Sequence, residues 1–334
     1  MTFLGPAIVG VATSDMSSAR PTTSIAWRLR RIFFGVMPRA LVPTLCWAVC
    51  CAMGAGCGKT VLQVGPPQST YQFGTPRVLS ELDTSYANQN PTLTADLLEM
   101  IFTSGRASDS GDVWTARRTS AQAPFDAPSI VAEVSSSAFE TSPAISLDGL
   151  TLYYGSDRSG GLGEVDIWQV TRPDRNSAWG DLQNVTALNS SAKDIPRPVG
   201  QHDLVMPLGS QRDSDAGYQT FLAARPGVTQ PFGTPTIVAG LAANQDAVAD
   251  GFLTDDGLTL FYSVTPSGEA PDLFVATRAA TGAPFSQPAP LTQLNTSSEE
   301  RDPWLSPDGS TFFFSSNRDG SLQIYEVAVT QRAP

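Results

Sequence analysis

Histidine, cysteine and lysine are almost missing from most of this chain. Among 334 residues, His202 is the only histidine. The four cysteines, Cys46, Cys50, Cys51 and Cys57, all precede residue 58, and the only lysines beyond that point are Lys59 and Lys193. A serine or cysteine triad would have to be built on the single imidazole, with no Gly-x-Ser-x-Gly elbow beside it. No disulfide framework and no free reactive thiol follow Cys57. No glycine-rich loop leads into a helical pattern, so the usual phosphate cradle is missing as well. The densest glycine run, Ser159-Gly160-Gly161-Leu162-Gly163, falls within a hairpin pattern, where flexibility accounts for it. No cofactor, metal or catalytic set is expected.

Positive charge is scarce too. Of 21 basic and 32 acidic residues, residues 1–56 hold five Arg and one Asp, which leaves 16 against 31 and a formal charge of −15 for residues 57–334. A surface this acidic repels nucleic acid and anionic lipid at long range, so no nucleic-acid partner is expected. Cations, basic protein patches and neutral glycans remain compatible with it.

What the chain does have is a period. Trp114, Trp168, Phe221, Phe274 and Tyr325 are spaced 54, 53, 53 and 51 residues apart. A second register, Phe73, Phe125, Trp179, Phe232 and Phe285, is spaced 52, 54, 53 and 53 apart. Repeats of about 50 residues are too long for one strand or helix and mark propeller blades, which bury their faces against one another. Asp148-Gly149, Asp256-Gly257 and Asp308-Gly309 fall between β-prone runs, where Asp bonds its local backbone and Gly accepts positive φ. The expected fold is all-β: a five-bladed propeller of four antiparallel strands per blade. Phe73 to Leu82 would supply the outermost strand of the last blade and close the ring, removing two exposed edges.

Ser142-Pro143-Ala144-Ile145-Ser146-Leu147-Asp148-Gly149 with Asp166-Ile167-Trp168, and Asp302-Pro303-Trp304-Leu305-Ser306-Pro307-Asp308-Gly309 with Ile324-Tyr325, resemble the TolB-type propeller repeat, a relative of the WD-type repeats. Repeat one lacks the turn Gly, and in repeat four Gly251 follows Asp250 in place of Pro. The resemblance covers about residues 73 to 330. It implies a scaffold of the kind that serves envelope machinery, sensing and protein contacts. Residues 58 to 72 are too few to bury a further core of their own.

The first 57 residues have another character. Arg28, Arg30, Arg31 and Arg39 precede an apolar run from Ala40 to Met53 that ends in Gly54-Ala55-Gly56-Cys57. A basic start, a short apolar segment and small residues before a cut site describe a secretory signal. The run falls short of the ~20 residues a spanning helix needs. Ala55-Gly56-Cys57 resembles a bacterial lipoprotein signal, which implies a lipid on Cys57; Gly54 stands where Leu is usual. The expected organisation is an export signal over 1–56, with Met37 as an alternative start, a lipidated Cys and tether over 57–72, and a propeller over 73–334. Arg30-Arg31-Ile32-Phe33-Phe34 also resembles a twin-arginine motif, but Gly35 to Arg39 interrupts the apolar run that should follow. Gly58 in place of Asp favours the outer membrane. An envelope protein is the expected partner, with the membrane reached through the lipid.

Two sets of residues are candidates for a site. Glu140, Asp194, Asp250, Glu300 and Asp302 enter the innermost strand positions, where repeat one has Asn90, and would form an acidic channel mouth. Hydrolysis of a glycan there would need two carboxyls about 5–10 Å apart with one pKa raised. The bland alternative is a rim of carboxylates solvated or paired with Arg197 and Arg301. The second set is Lys193, Arg197 and His202, in the repeat that breaks its own pattern, as a contact patch. Asp112, Asp166 and Asp272, each preceding a repeated aromatic, read as hairpin ion pairs with residues such as Arg106 and Arg158, or as backbone caps.

Overall fold

The computed structural model describes residues 71–82, 84–107, 111–213, 217–242 and 246–331. The export segment, Met37 and Cys57 lie outside the described residues. The chain opens with β1 (Tyr71–Phe73) and β2 (Arg77–Val78). Blade one is β3 (Asn88–Leu93), β4 (Glu99–Ser104), β5 (Asp112–Arg117) and β6 (Ser129–Ile130). Blade two is β7 (Glu140–Ile145), β8 (Thr151–Ser156), β9 (Asp166–Thr171) and β10 (Gly180–Asn184). Blade three is β11 (Asp194–Pro196), β12 (Val205–Ser210), β13 (Gln219–Ala224) and β14 (Thr236–Ile237). Blade four is β15 (Ala247–Leu253), β16 (Thr259–Thr265), β17 (Asp272–Thr277) and β18 (Ser286–Pro290). Blade five is β19 (Glu300–Leu305), β20 (Thr311–Ser316) and β21 (Gln323–Gln331).

All strands within a blade pair antiparallel, and no helix occurs among the described residues. Inner strands touch from β15 through β19, β3 and β7 to β11, and the ring closes where β15 packs on β12 and β13 of blade three. β1 and β2 pair with β21 through Tyr71–Gln331 and Val78–Tyr325, so the start of the chain completes the last blade. The expected five-bladed ring and its closure are therefore observed. β1 begins at Tyr71, just ahead of the expected Phe73 boundary.

The aromatic period reports what packs. The first register lies on the third strand of each blade, the second on the loops and strand ends beyond it. Arg118, Arg172, Arg225 and Arg278 lie 4.2–4.5 Å over the rings of Phe125, Trp179, Phe232 and Phe285. Each also donates Nε to a carbonyl in the turn between its blade's first two strands. That turn is stapled by a hydroxyl and an Asp: Ser146 Oγ donates to Asp148 Oδ1 at 2.6 Å, and Ser306 does the same to Asp308. Repeat one, without the Gly, places Leu97 at φ 62° instead.

One irregularity decides what faces the channel. In four inner strands the register slips between Gln89 and Thr92, Thr141 and Ala144, Ala249 and Phe252, and Arg301 and Trp304. Such a β-bulge re-aims a side chain. The bulged residues Asn90, Ser142, Asp250 and Asp302 take φ of 52–60°. Blade three has Pro196 at the matching place, and its ring fixes φ near −65°. β11 accordingly pairs with β12 without a slip.

Candidate functional site

Glu140, Asp194 and Glu300 do not form part of a channel mouth: each is fully buried within its blade. Glu140 accepts from Ser136 N and Oγ, Ser156 Oγ and Arg158 Nη2. Glu300 repeats the arrangement with Thr296, Ser316 and Arg318. Asp194 is held by Ser190 and Arg212. Blade one replaces the acid by Asn88, which accepts from Arg106 at 2.6 Å. Every one of these arginines also donates to a backbone carbonyl 24 residues upstream. Buried carboxylates with all their partners supplied are structural latches. Arg106 and Arg158 are thereby taken from the hairpin ion pairs expected with Asp112 and Asp166. Asp166 instead caps the backbone N–H groups of Leu162 and Gly163.

Asp250 and Asp302 do come together, with help from a blade that has no bulge. Arg197 donates Nη2 to Asp250 Oδ1 and Nη1 to Asp302 Oδ1, the latter at 3.2 Å. Asn90 donates its backbone N–H and its Nδ2 to Asp302, at 3.1 and 2.6 Å. Ser263 donates to Asp250. Burial and the nearby Asp250 charge raise the Asp302 pKa, and Arg197 acts against them. These residues form the floor of a cavity of about 240 Å³ at the end of the channel where the inner strands begin, the entry side. Its rim includes the partly exposed Phe139, Tyr218 and Arg301. Arg301 is held at its terminus by Glu299, 2.7 Å away. On the floor, Asn90 Oδ1 and Arg197 Nε are buried and have no partner among the described residues; neither does Arg301 Nε.

At the other end, the exit side, the inner strands finish in the stapled turns. A cavity of about 320 Å³ is walled there by Ile145, Val199, Phe252, Leu253 and Trp304 and flanked by Asp255, Asp256 and Asp308. No Lys or Arg among the described residues lines it. Hydrogen bonds from the Ser306 hydroxyl and the Ser310 backbone keep the Asp308 carboxyl below its usual range, so it stays anionic. Beside this mouth, Gln201, His202 and Asp203 replace the stapled turn of blade three with three successive positive φ values, 53°, 54° and 63°. His202 is solvent-exposed, with Nδ1 2.7 Å from Asp255 Oδ2.

The expected contact patch is not assembled. Lys193 precedes β11 on the entry side, beside Glu164 at 3.5 Å. Arg197 is buried in the channel, and His202 lies beyond the far end of the same segment. Lys193 stands just before β11, whereas His202 sits in the turn that follows Gly200. Sequence reasoning missed Glu99, which is buried between blades one and two and accepts from Arg172, Arg117 and Arg175. Burial would raise its pKa, but Arg172 and Arg117 hold it below the usual range. Among the described residues no cluster of three or more His, Cys, Asp or Glu could hold a metal ion.

No protein-family model and no curated protein matches this chain. Solved structures do resemble it. The catalytic domain of a GH62 α-L-arabinofuranosidase from Coprinopsis cinerea has a TM-score of 0.55 at 11% identity, over 79% of this chain and 98% of that one. The endo-arabinase from Bacteroides thetaiotaomicron has a TM-score of 0.51 at 12% identity, over 79% and 98%. TolB from Acinetobacter baumannii has a TM-score of 0.47 at 13% identity over 76% of this chain, which spans 57% of that protein. At these identities the likeness is one of fold.

Proposed function

We propose that this chain is a cell-envelope binding propeller that holds a basic, apolar-flanked segment of a partner protein at the exit side of its channel. The observation that carries the reading is the exit cavity: apolar walls, three flanking carboxylates and no cation in the lining among the described residues. The apolar walls, themselves already buried, favour an uncharged group between them, and a one-sign rim steers and selects a segment of opposite sign. The sequence pattern ending in Cys57 supports an envelope setting, with a lipid tether at the outer membrane, and the charge of −15 favours basic partners.

Hydrolysis of a glycan by Asp250 and Asp302 draws less support. Both carboxylates are buried and share one guanidinium, so neither is free to act as a base on water.

The test is an array of Lys/Arg-containing apolar peptides, with acidic counterparts, probed with full-length protein and its Asp255→Asn/Asp256→Asn/Asp308→Asn variant. Crosslinked capture from the protein's own envelope then asks whether a native partner follows the same dependence. Basic peptides should bind wild type and lose about tenfold or more in the variant, compared at a temperature where both are folded because Asp256 and Asp308 also staple their turns. Equal binding by both proteins, or a preference for acidic peptides, would overturn the reading.

A further inference from the structure

We infer that the cavity in the seam between blades two and three binds a small carboxylate, one negative charge on an uncharged polar body, through the Arg225 guanidinium. The site is independent of the exit-side reading, because it shares no lining residue with either channel cavity.

The first argument compares seams. Between blades one and two, Arg172 meets Glu99 at 2.7 Å, and Arg117 and Arg175 complete the cluster. Glu99 begins β4 and stands opposite Arg117, the last residue of β5. One blade further on, the same register pair is Thr151 opposite Thr171. Arg225 takes the place of Arg172, and Val228 that of Arg175, three residues later in each case. Three long charged side chains are thus replaced by three short uncharged ones. The space they leave is a cavity of about 440 Å³, lined by Thr151, Thr171, Val228 and Arg225.

The second argument is that the cation has stayed while its acid has gone. Arg225 donates Nε to the Asp203 carbonyl and Nη1 to the Tyr153 hydroxyl at 3.3 Å. Among the described residues it forms no ion pair, and its Nη2 makes no hydrogen bond and reaches solvent. The Asp203 carboxylate acts on it only from beyond ion-pair distance. The seam between blades five and one is also open, with a cavity of about 660 Å³, but there Glu326 stands 4.0 Å from Arg118. Of these three seams, the one between blades two and three offers a guanidinium without a carboxylate.

The third argument defines the ligand. A guanidinium is a planar fork that matches the two oxygens of a carboxylate. Among the described residues no acid lines the cavity, so nothing in its wall repels an anion. A dianion would meet a single cation in a chain that carries −15 over residues 57–334, which favours one charge over two. The cavity holds more than a carboxylate group. Gln169, Gln183 and Gln230 line the rest of it, and their side chains make no hydrogen bond among the described residues. They offer amide donors and acceptors to hydroxyl or amide groups on the ligand body. The strands that carry Thr151 and Gln169 hold this geometry, as a rigid scaffold should.

The experiment is saturation-transfer NMR and calorimetry on full-length protein with D-glucuronate and N-acetylalanine. Their uncharged counterparts, D-glucose and N-acetylalanine amide, run beside them, with inorganic phosphate as the dianion control. Salt at about 0.15 M screens the net charge of the chain beyond ~8 Å. The two carboxylates distinguish a sugar acid from the free end of an acylated amino acid. Thr151→Glu puts an acid where blade one has Glu99, so the guanidinium gains a partner from the chain itself. Gln183→Glu adds a like charge at an exposed position of the lining. At least one carboxylate should bind, and its uncharged counterpart about tenfold or more weakly. Thr151→Glu should weaken that carboxylate about tenfold or more, and Gln183→Glu about threefold. Where Thr151→Glu fails to fold, Gln183→Glu gives the reading. Absence of binding by both carboxylates, equal binding of an uncharged counterpart, tighter binding of phosphate, or unchanged carboxylate binding by a folded variant would overturn the inference.

Discussion

Arg158 and Glu140 stand 18 residues apart in the chain and 3.0 Å apart in space. Arg212 with Asp194 and Arg318 with Glu300 repeat the pair at the same separation. Blade four has lost both partners together, with Val248 and Pro266 in their places. Blade one keeps the arginine and replaces the acid by Asn88, an acceptor that still holds Arg106. Removing one partner strands a buried charge, whereas removing both does not.

Glu140→Val should therefore cost about 3–5 kcal/mol in urea unfolding at pH 7. Adding Arg158→Met should return part of the loss, with a coupling of about 1–3 kcal/mol in a double-mutant cycle. Strict additivity of the two changes would show that the latch contributes no pairwise energy.

The blades were legible because aromatic spacing reports packing between neighbours, and packing repeats with the blade. Trp114, Trp168 and Tyr325 needed no coordinates to define a register. The channel was less legible. Glu140 and Asp302 both enter inner strands, but they occupy positions two apart in the repeat. Ordinary alternation would put such positions on one face of a strand. The bulge separates them. Its trace in sequence is Asn90-Pro91, Ser142-Pro143, Asp250-Gly251 and Asp302-Pro303, residues that fit a sharp local turn of the chain, together with Pro196, which cannot adopt it. The latch has a trace as well. An antiparallel pair sets Glu140 opposite Ser156, so the Arg just beyond the second strand reaches the acid that begins the first. Sequence distance alone favours Asp166, the nearer acid.

Close approach between blades makes a second prediction. A Cβ added at Gly200 would lie 2.5 Å from the Leu253 carbonyl oxygen, which belongs to the inner strand of the next blade. Backbone cannot yield there without moving a blade, so Gly200→Ala should destabilise by about 1–3 kcal/mol through overpacking. Gly282 is the control, with nothing within 4 Å of an added Cβ. Gly282→Ala should be neutral or stabilising by up to about 1 kcal/mol, because it restricts the unfolded chain. Thermal melts of the two variants compare them directly, and equal melting temperatures would contradict the packing argument.

Asp203 makes the pH prediction. Burial above all, with Asp148 and Asp255, lifts its pKa to about 6 against the opposing pull of Arg225. The unfolded carboxyl titrates near ~3.9. Between these two values the folded state holds a proton that the unfolded state has released. Stability from this group is therefore greatest near pH 4 and is lost as pH rises through about 6. Asn mimics the protonated acid and is at ease at the φ of 63° found here. Asp203→Asn should raise the melting temperature by roughly 2–4 °C at pH 7.5, and the gain should vanish near pH 4. Carboxylates remote from this turn keep the same surroundings in both proteins, so the difference between their curves reports Asp203 and its neighbours Asp148 and Asp255. A gain that is constant from pH 4 to pH 7.5 would assign it to the turn's backbone and not to the buried charge.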